Sequence, residues 1–201
     1  MTNKWDERFS DEEFFYGEKP NAFFAEYLTS VKAKGRLLLP AEGEGRNAVF
    51  AATQGWEVHA FDSSKVAQQK ALDFALSEKV VINYDLLDLA NFVPMPGYYD
   101  MIALIFVHTP EGMRRVLHQK MINSLKAGGI VLIESFAKEQ INNKSGGPPD
   151  VNMLFSTEIL KNDFADLSIL KLCQEKETLN EGHHKGEADL VRLVARKDAN
   201  D

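Results

Sequence analysis

Apolar runs of strand length alternate along the chain with segments whose apolar positions recur at helical spacing. The runs at Arg36–Leu39, Glu57–Phe61, Val80–Tyr84, Met101–Val107 and Ile130–Glu134 predict five strands. Two more are predicted at Ser168–Lys171, extending toward Leu179, and at Ala188–Arg196. Helical patterns lie near Asn47–Thr53, Val66–Glu78, Met113–Leu125 and Thr157–Asn162, and Phe14–Val31 reads as an extra N-terminal helix with an aromatic face. Such alternation predicts a parallel sheet with helices on both of its faces. No helix separates the last two strands. Asn180-Glu181-Gly182 and Lys185-Gly186 are turn chemistry, so those two strands should pair antiparallel. The expected fold is therefore α/β, a seven-stranded and mostly parallel sheet ending in an antiparallel pair.

Composition narrows the possibilities. A chain of 201 residues suits one domain of this kind. A formal net charge of −7, without a basic stripe, argues against a nucleic-acid partner, because phosphate binding needs clustered Lys and Arg. Cys173 is the only cysteine, so no internal disulfide is expected. It lies in an alternating apolar run with Leu170 and Leu172, which suits a buried small hydrophobe better than a reactive thiol. No Cys/His cluster has zinc spacing, and no metal is expected. Asp6, Glu7, Asp11, Glu12 and Glu13 are the wrong chemistry for a secretory signal, and Met101–Val107 is too short to cross a bilayer. A cytoplasmic protein with no membrane partner is expected, as a monomer or a homodimer. The stretch from Asn142 to Pro149 reads as a mobile loop.

Chemistry gathers first where the first strand runs into Ala41-Glu42-Gly43-Glu44-Gly45-Arg46-Asn47 and a helix follows. Glycines there allow a sharp turn and a close approach to a ligand, and the new helix offers unpaired N–H groups. The second strand ends at Asp62, beside Ser63, where a carboxylate can accept both hydroxyls of a ribose. The third ends at Asp85 and Leu86, where a carboxylate can accept from an adenine amino group. Gly43-x-Gly45-x-x-Ala48 also fits an NAD fingerprint. The dehydrogenase reading loses ground because no tyrosine has a lysine four residues on, and a separate substrate domain is not expected within these 201 residues.

Taken with Leu125-Lys126-Ala127-Gly128-Gly129 before the fifth strand and the closing strand pair, these residues resemble a class I S-adenosylmethionine-dependent methyltransferase with its Rossmann-like core. The chain is similar in particular to the small tellurite-resistance and thiopurine methyltransferase-like group. That likeness rests on Trp5-Asp6-x-Arg8-Phe9, Tyr16-Gly17-x-x-Pro20-Asn21-x-Phe23, Gly146-Gly147-Pro148 and Glu181-Gly182-His183-His184-x-Gly186. The resemblance implies S-adenosylmethionine as cofactor, held by Ala41 to Gly45, Asn47, Asp62, Ser63, Asp85 and Leu86. It also implies a single domain, residues 1–31 forming a lid or helix over a core of 32–201. The pattern departs at one place: Leu39 and Ala41 replace the usual acid and first glycine, and Glu42 is then the carboxylate available to the methionine ammonium.

Acceptor chemistry is expected beyond the carboxyl ends of the parallel strands, where Phe106, His108, Glu134 and Ser135 fall. Aromatic faces of Tyr16 or Phe106 suit a sulfonium cation. The phenylalanines of the N-terminal segment, by contrast, read as packing residues. His183, His184 and His108 are the candidate general bases. The resemblance further implies an acceptor site of His184, Lys185 and Arg192, acting on a small soft or anionic molecule. Arg192 lies among apolar strand residues and needs an anion, either a substrate oxyanion or a structural carboxylate such as Glu134. His59 and His118 read as structural. A protein that keeps the cofactor but has lost catalysis is the alternative, with NAD-dependent oxidoreduction behind it.

Overall fold

A computed structural model describes residues 3–199. Its strands are β1 (Arg36–Pro40), β2 (Glu57–Asp62), β3 (Asn83–Leu86), β4 (Tyr99–Ile105), β5 (Leu125–Phe136), β6 (Ser168–Glu181) and β7 (His184–Arg196). They form one seven-stranded sheet in the order β3-β2-β1-β4-β5-β7-β6. β1, β2 and β3 pair in parallel, as do β4 and β5, whereas β7 runs antiparallel to β5. The helices are α1 (Lys4–Arg8), α2 (Ala22–Ser30), α3 (Arg46–Thr53), α4 (Lys65–Ser77), α5 (Glu111–Ser124) and α6 (Thr157–Asp163). No helix among the described residues is long and apolar enough to cross a membrane.

Two compact units divide the chain. One runs to Phe92 and includes Glu181–His183; the other comprises Val93–Asn180 and the chain from His184 onward. In the first, Leu37, Leu38 and Leu39 of β1 are buried beside Val58, Ala60 and Phe61 of β2. Helix α4 buries Ala67, Ala71 and Ala75, one small residue per turn, so its backbone can lie close to its neighbours. In the second, Met101–Leu104, Val131–Ile133 and Leu193–Ala195 supply the interior of three adjacent strands. Phe136, Leu154, Leu179, Ala188 and Leu190 form a cluster against which Phe106 packs.

Several boundaries differ from the sequence-based expectation. The helix expected over Phe14–Val31 is not continuous. Gly17 takes a left-handed φ of +74°, Pro20 disfavours helix before it, and Asn21 caps α2 by accepting from the Phe24 N–H at 3.0 Å. The aromatic stretch before it is turn, and a separate helix, α1, precedes that. The third strand begins three residues later than expected and ends two later, because Lys79 turns left-handed after α4 and Val81 stands 85% exposed outside the sheet. Asp85 is consequently inside β3. Strand β5 begins before the expected Ile130, β6 runs to Glu181 and β7 begins at His184, leaving Gly182-His183 as the turn. The loop read as mobile is tied down by a buried Gln140. Its amide donates to Ser145 Oγ and the Gly146 carbonyl at 2.9 and 3.0 Å, and its oxygen accepts from the Asp189 N–H at 2.9 Å.

Candidate active site

The turn after β1 places left-handed residues at alternate positions: Ala41 (φ +51°), Gly43 (+66°) and Gly45 (+87°). Ala41 thus adopts the backbone that the family pattern gives to a glycine, at a strain of roughly 1 kcal/mol. A Cβ on Gly45 would stand 2.6 Å from that of Ala71, so α3 can approach α4 only over a glycine. Gly43 is held from both sides. Its N–H donates to Asp62 Oδ2 at 3.0 Å, and its carbonyl accepts from the Tyr84 hydroxyl at 2.5 Å.

Glu42 folds back onto the helix that the turn begins. Its Oε1 accepts from the N–H groups of Asn47 and Ala48 at 2.7 and 2.8 Å, and Oε2 accepts from the Asn47 side-chain amide at 3.2 Å. Gly45, the N-cap residue of α3, has no side chain to cap it, so Glu42 supplies the cap from three residues upstream. Burial pushes its carboxyl up to about 7, against the pull of those donors. The N–H groups at the helix start that were expected to face a ligand are therefore already taken by a carboxylate of the chain.

Asp62, at the end of β2, is buried, and besides the Gly43 N–H on Oδ2 it takes the Ser64 N–H on Oδ1 at 2.9 Å. Burial raises its carboxyl despite those amides. The Ser63 carbonyl accepts from the Asn3 side chain at 2.7 Å, which seats α1 over the end of β2. Asp85 and Leu86 are both exposed in β3. Asn47 is buried and accepts from the Asn21 N–H at 2.9 Å, joining the start of α2 to Glu42. Tyr84 was missed by the sequence reading. Its place one residue before Asp85, on the opposite face of a strand, is the signal that marks it.

The segment between α1 and α2 covers this turn. The Phe9 ring lies 3.3 Å from where a Gly43 Cβ would stand. Phe9 stacks on Trp5, with centroids 5.9 Å apart, and meets Tyr16 edge-on at 6.3 Å. Burial pushes the Tyr16 phenol up, and its oxygen accepts from Arg8 at 3.3 Å. The β6–β7 turn joins the same assembly. His183 stacks on Phe15 with centroids 3.8 Å apart and donates its N–H to the Phe15 carbonyl, while Arg46 pairs with Glu181 at 2.8 Å. A Cβ on Gly182 would stand 2.4 Å from the Phe15 carbonyl oxygen, so that close approach requires glycine. The Tyr16-Gly17 and Glu181-Gly182-His183 motifs, far apart in sequence, are one structure.

The second unit holds the other candidates. Phe106 follows β4 with φ +55°, stacks on Phe136 at 4.6 Å and meets the His184 ring edge-on at 4.7 Å. His184 is buried, and a Cβ on Gly146 would stand 2.5 Å from its ring, so the Gly146-Gly147 motif makes room for the imidazole. Lys185 is exposed. Two candidates are already engaged by neighbours within the chain. His108 has both nitrogens in use: Nδ1 donates to the Met153 carbonyl at 2.9 Å and Nε2 accepts from the Phe136 N–H at 3.3 Å. Burial pulls it down to about 4, so the imidazole is neutral with both nitrogens engaged within the chain. Arg192 is matched by carboxylates: Nε donates to Glu134 at 2.5 Å, and Nη1 to Glu175 and Glu177 at 2.6 and 2.7 Å. Burial alone would lower its pKa, but Glu177 and Glu134 outweigh it and keep the guanidinium charged. Its anion is structural. Among the described residues no group of three or more His, Cys, Asp or Glu is placed to hold a metal ion.

No family model matches the chain. Among solved structures it superposes on one described as concerning conversion of a disulfide bond into a thioacetal group during echinomycin biosynthesis. There the TM-score is 0.78 at 14% identity, covering 98% of this chain and 90% of that one. TehB from Haemophilus influenzae gives 0.72 at 19% identity, covering 89% and 63%. A SAM-dependent methyltransferase from Methanosarcina mazei gives 0.70 at 12%, covering 90% and 99%. The fold is that of the S-adenosylmethionine-dependent methyltransferases. In sequence, the chain is 28% identical over 131 residues to Hemagglutinin 1 of Eikenella corrodens; the match covers 64% of this chain and 42% of that protein.

Proposed function

We propose that the chain binds S-adenosylmethionine at the glycine turn and passes its methyl group to a small acceptor, soft or anionic in character, such as a chalcogen oxyanion or a thiol. The observation that carries this reading is the carboxylate cap. In a dinucleotide enzyme the helix N-terminus after β1 takes a pyrophosphate, but here Glu42 fills it and Asp62 adds a second buried carboxylate beside it. Such a turn repels a phosphate and suits a cationic ligand carrying an ammonium, a sulfonium and a ribose. The donor set also fits in detail. The Asp62 carboxylate ends β2 where it can accept from a ribose hydroxyl, Asp85 is exposed to meet an adenine amino group, and Tyr16 offers an aromatic face. The echinomycin structure, which shares this fold, concerns conversion of a disulfide bond into a thioacetal group, and that supports a soft sulfur-like acceptor.

When bound, the cofactor supplies an activated methyl group on a positively charged sulfur. The chain's own contribution is then orientation and exclusion of water, through the turn, Asp62 and the aromatic segment from Phe9 to Tyr16. His184, beside Phe106, accepts the proton of an acceptor that arrives protonated. Lys185 adds positive charge next to it in sequence; Arg192 takes no part. A screen of small thiols and chalcogen oxyanions with methyl-labelled cofactor tests the reading. Label should pass to at least one of them, and His184→Ala should lower that turnover by about 100-fold with cofactor affinity nearly unchanged. Full activity of His184→Ala on every acceptor used would remove the histidine from the reaction.

A further inference from the structure

Among the described residues no backbone hydrogen bond joins two members of residues 9–15, yet the Phe9 ring lies against Gly43 of the glycine turn. One ammonium gathers the segment's carbonyls. Lys70, in the middle of α4, donates to the carbonyls of Phe9, Asp11 and Glu13 at 3.4, 2.8 and 2.9 Å. Three alternate carbonyls of the segment therefore converge on one cation, and they would be costly to bury without it. The same Nζ lies 2.5 Å from Glu44 Oε1 and 5.1 Å from the centre of the Phe14 ring. Glu44, buried between the two glycines of the turn, accepts the Phe15 N–H on its other oxygen at 2.7 Å. Helix α4, the turn and the covering segment are thus joined through two side chains. What they hold in place is the Phe9 ring against Gly43.

We infer that Lys70 and Glu44 are positioning residues for the cofactor, a clasp that keeps residues 9–15 closed over the turn and so governs how fast the cofactor leaves. This rests on reading the turn as the S-adenosylmethionine site. Neither residue touches the reacting atoms in this account. Lys70 spends its three donors on the carbonyls of the segment and faces Glu44 Oε1 as an ion pair, while Glu44 Oε2 accepts from Phe15. A purely stabilising ion pair would also raise the melting temperature, but it would leave the cofactor's departure unchanged.

The test compares the wild type with Lys70→Met, Lys70→Arg, Glu44→Gln and the double variant Lys70→Met/Glu44→Gln. Hydrogen exchange of residues 9–15 is followed without ligand, and the dissociation rate of S-adenosylhomocysteine is measured by stopped flow. Lys70→Met should speed exchange of that segment, and S-adenosylhomocysteine dissociation, each by about tenfold or more, while exchange within β1 and β2 stays as in the wild type. Lys70→Arg, which keeps the cation, should recover most of both effects. The double variant should be no worse than Lys70→Met alone, because the two groups act as one unit. Faster exchange with an unchanged dissociation rate would overturn the proposal and leave a stabilising ion pair. Unchanged exchange in Lys70→Met would overturn the clasp itself. A wild type that takes up no S-adenosylhomocysteine would instead defeat the reading of the site, and the proposal with it, before any variant is compared.

Discussion

Asp62 and Glu42 both hold the glycine turn, and the proposed function gives each a ligand as well. Asp62 fixes the Gly43 and Ser64 amides, and in that proposal its carboxylate also accepts from a ribose. Asp62→Ala should therefore weaken S-adenosylhomocysteine binding by roughly 10- to 100-fold; an unchanged affinity in a folded variant would move the ribose elsewhere. Glu42 carries a pH signature. Its folded carboxyl titrates at about 7 against an ordinary 4.5, so the folded state holds that proton more tightly than the unfolded chain does. The resulting stability is present in full below pH 4.5 and is lost as pH rises through 7. Denaturant titrations at pH 5 and pH 8 should show the wild type losing ground to Glu42→Gln as pH rises, and a constant difference would contradict the assignment. Arg192→Ala strands the buried Glu134 carboxylate and should cost about 3 kcal/mol in the same experiment. Gly43, Gly45 and Asp62 were legible in the sequence because backbone geometry restricts what can stand there. The partners of Arg192 were only half legible. Glu134 was named as one alternative, whereas Glu175 and Glu177 share a face of β6 that becomes visible once the hairpin turn is known to be Gly182-His183.

Among the elements, α3 and α4 depend on one contact, the Gly45 backbone against Ala71. Gly45→Ala combines a left-handed φ of +87° with a Cβ 2.6 Å from its neighbour and should destabilise the fold by roughly 2–4 kcal/mol. Thermal melts of Gly45→Ala and Gly55→Ala separate the two causes, since Gly55 has a similar φ and open space around it. A smaller loss at Gly55 is expected, and equal losses would mean that the packing contributes nothing. The sheet was read well from strand-length apolar runs, because burial on both faces writes a continuous signal. The Phe14–Val31 segment was misread because its aromatic residues recur at a spacing that suits a helix. They serve instead as a cover whose course is set by Lys70, Glu44 and Arg46, partners that lie 29 or more residues away.

For the molecule as a whole, the order of the strands and the antiparallel run of β7 give the methyltransferase fold, and that much the sequence pattern anticipated. The fold by itself hosts many reactions. What selects among them is the charge of the glycine turn, which alternation of apolar and polar positions does not encode. It depends on Glu42 turning back to cap α3, a consequence of three left-handed residues in five. The most direct test is a calorimetric titration of the wild type with S-adenosylhomocysteine and, separately, with NADH. A turn carrying Glu42 and Asp62 should bind S-adenosylhomocysteine with a Kd on the order of micromolar and give no heat with NADH. Tight binding of NADH with no response to S-adenosylhomocysteine would contradict the account at its centre.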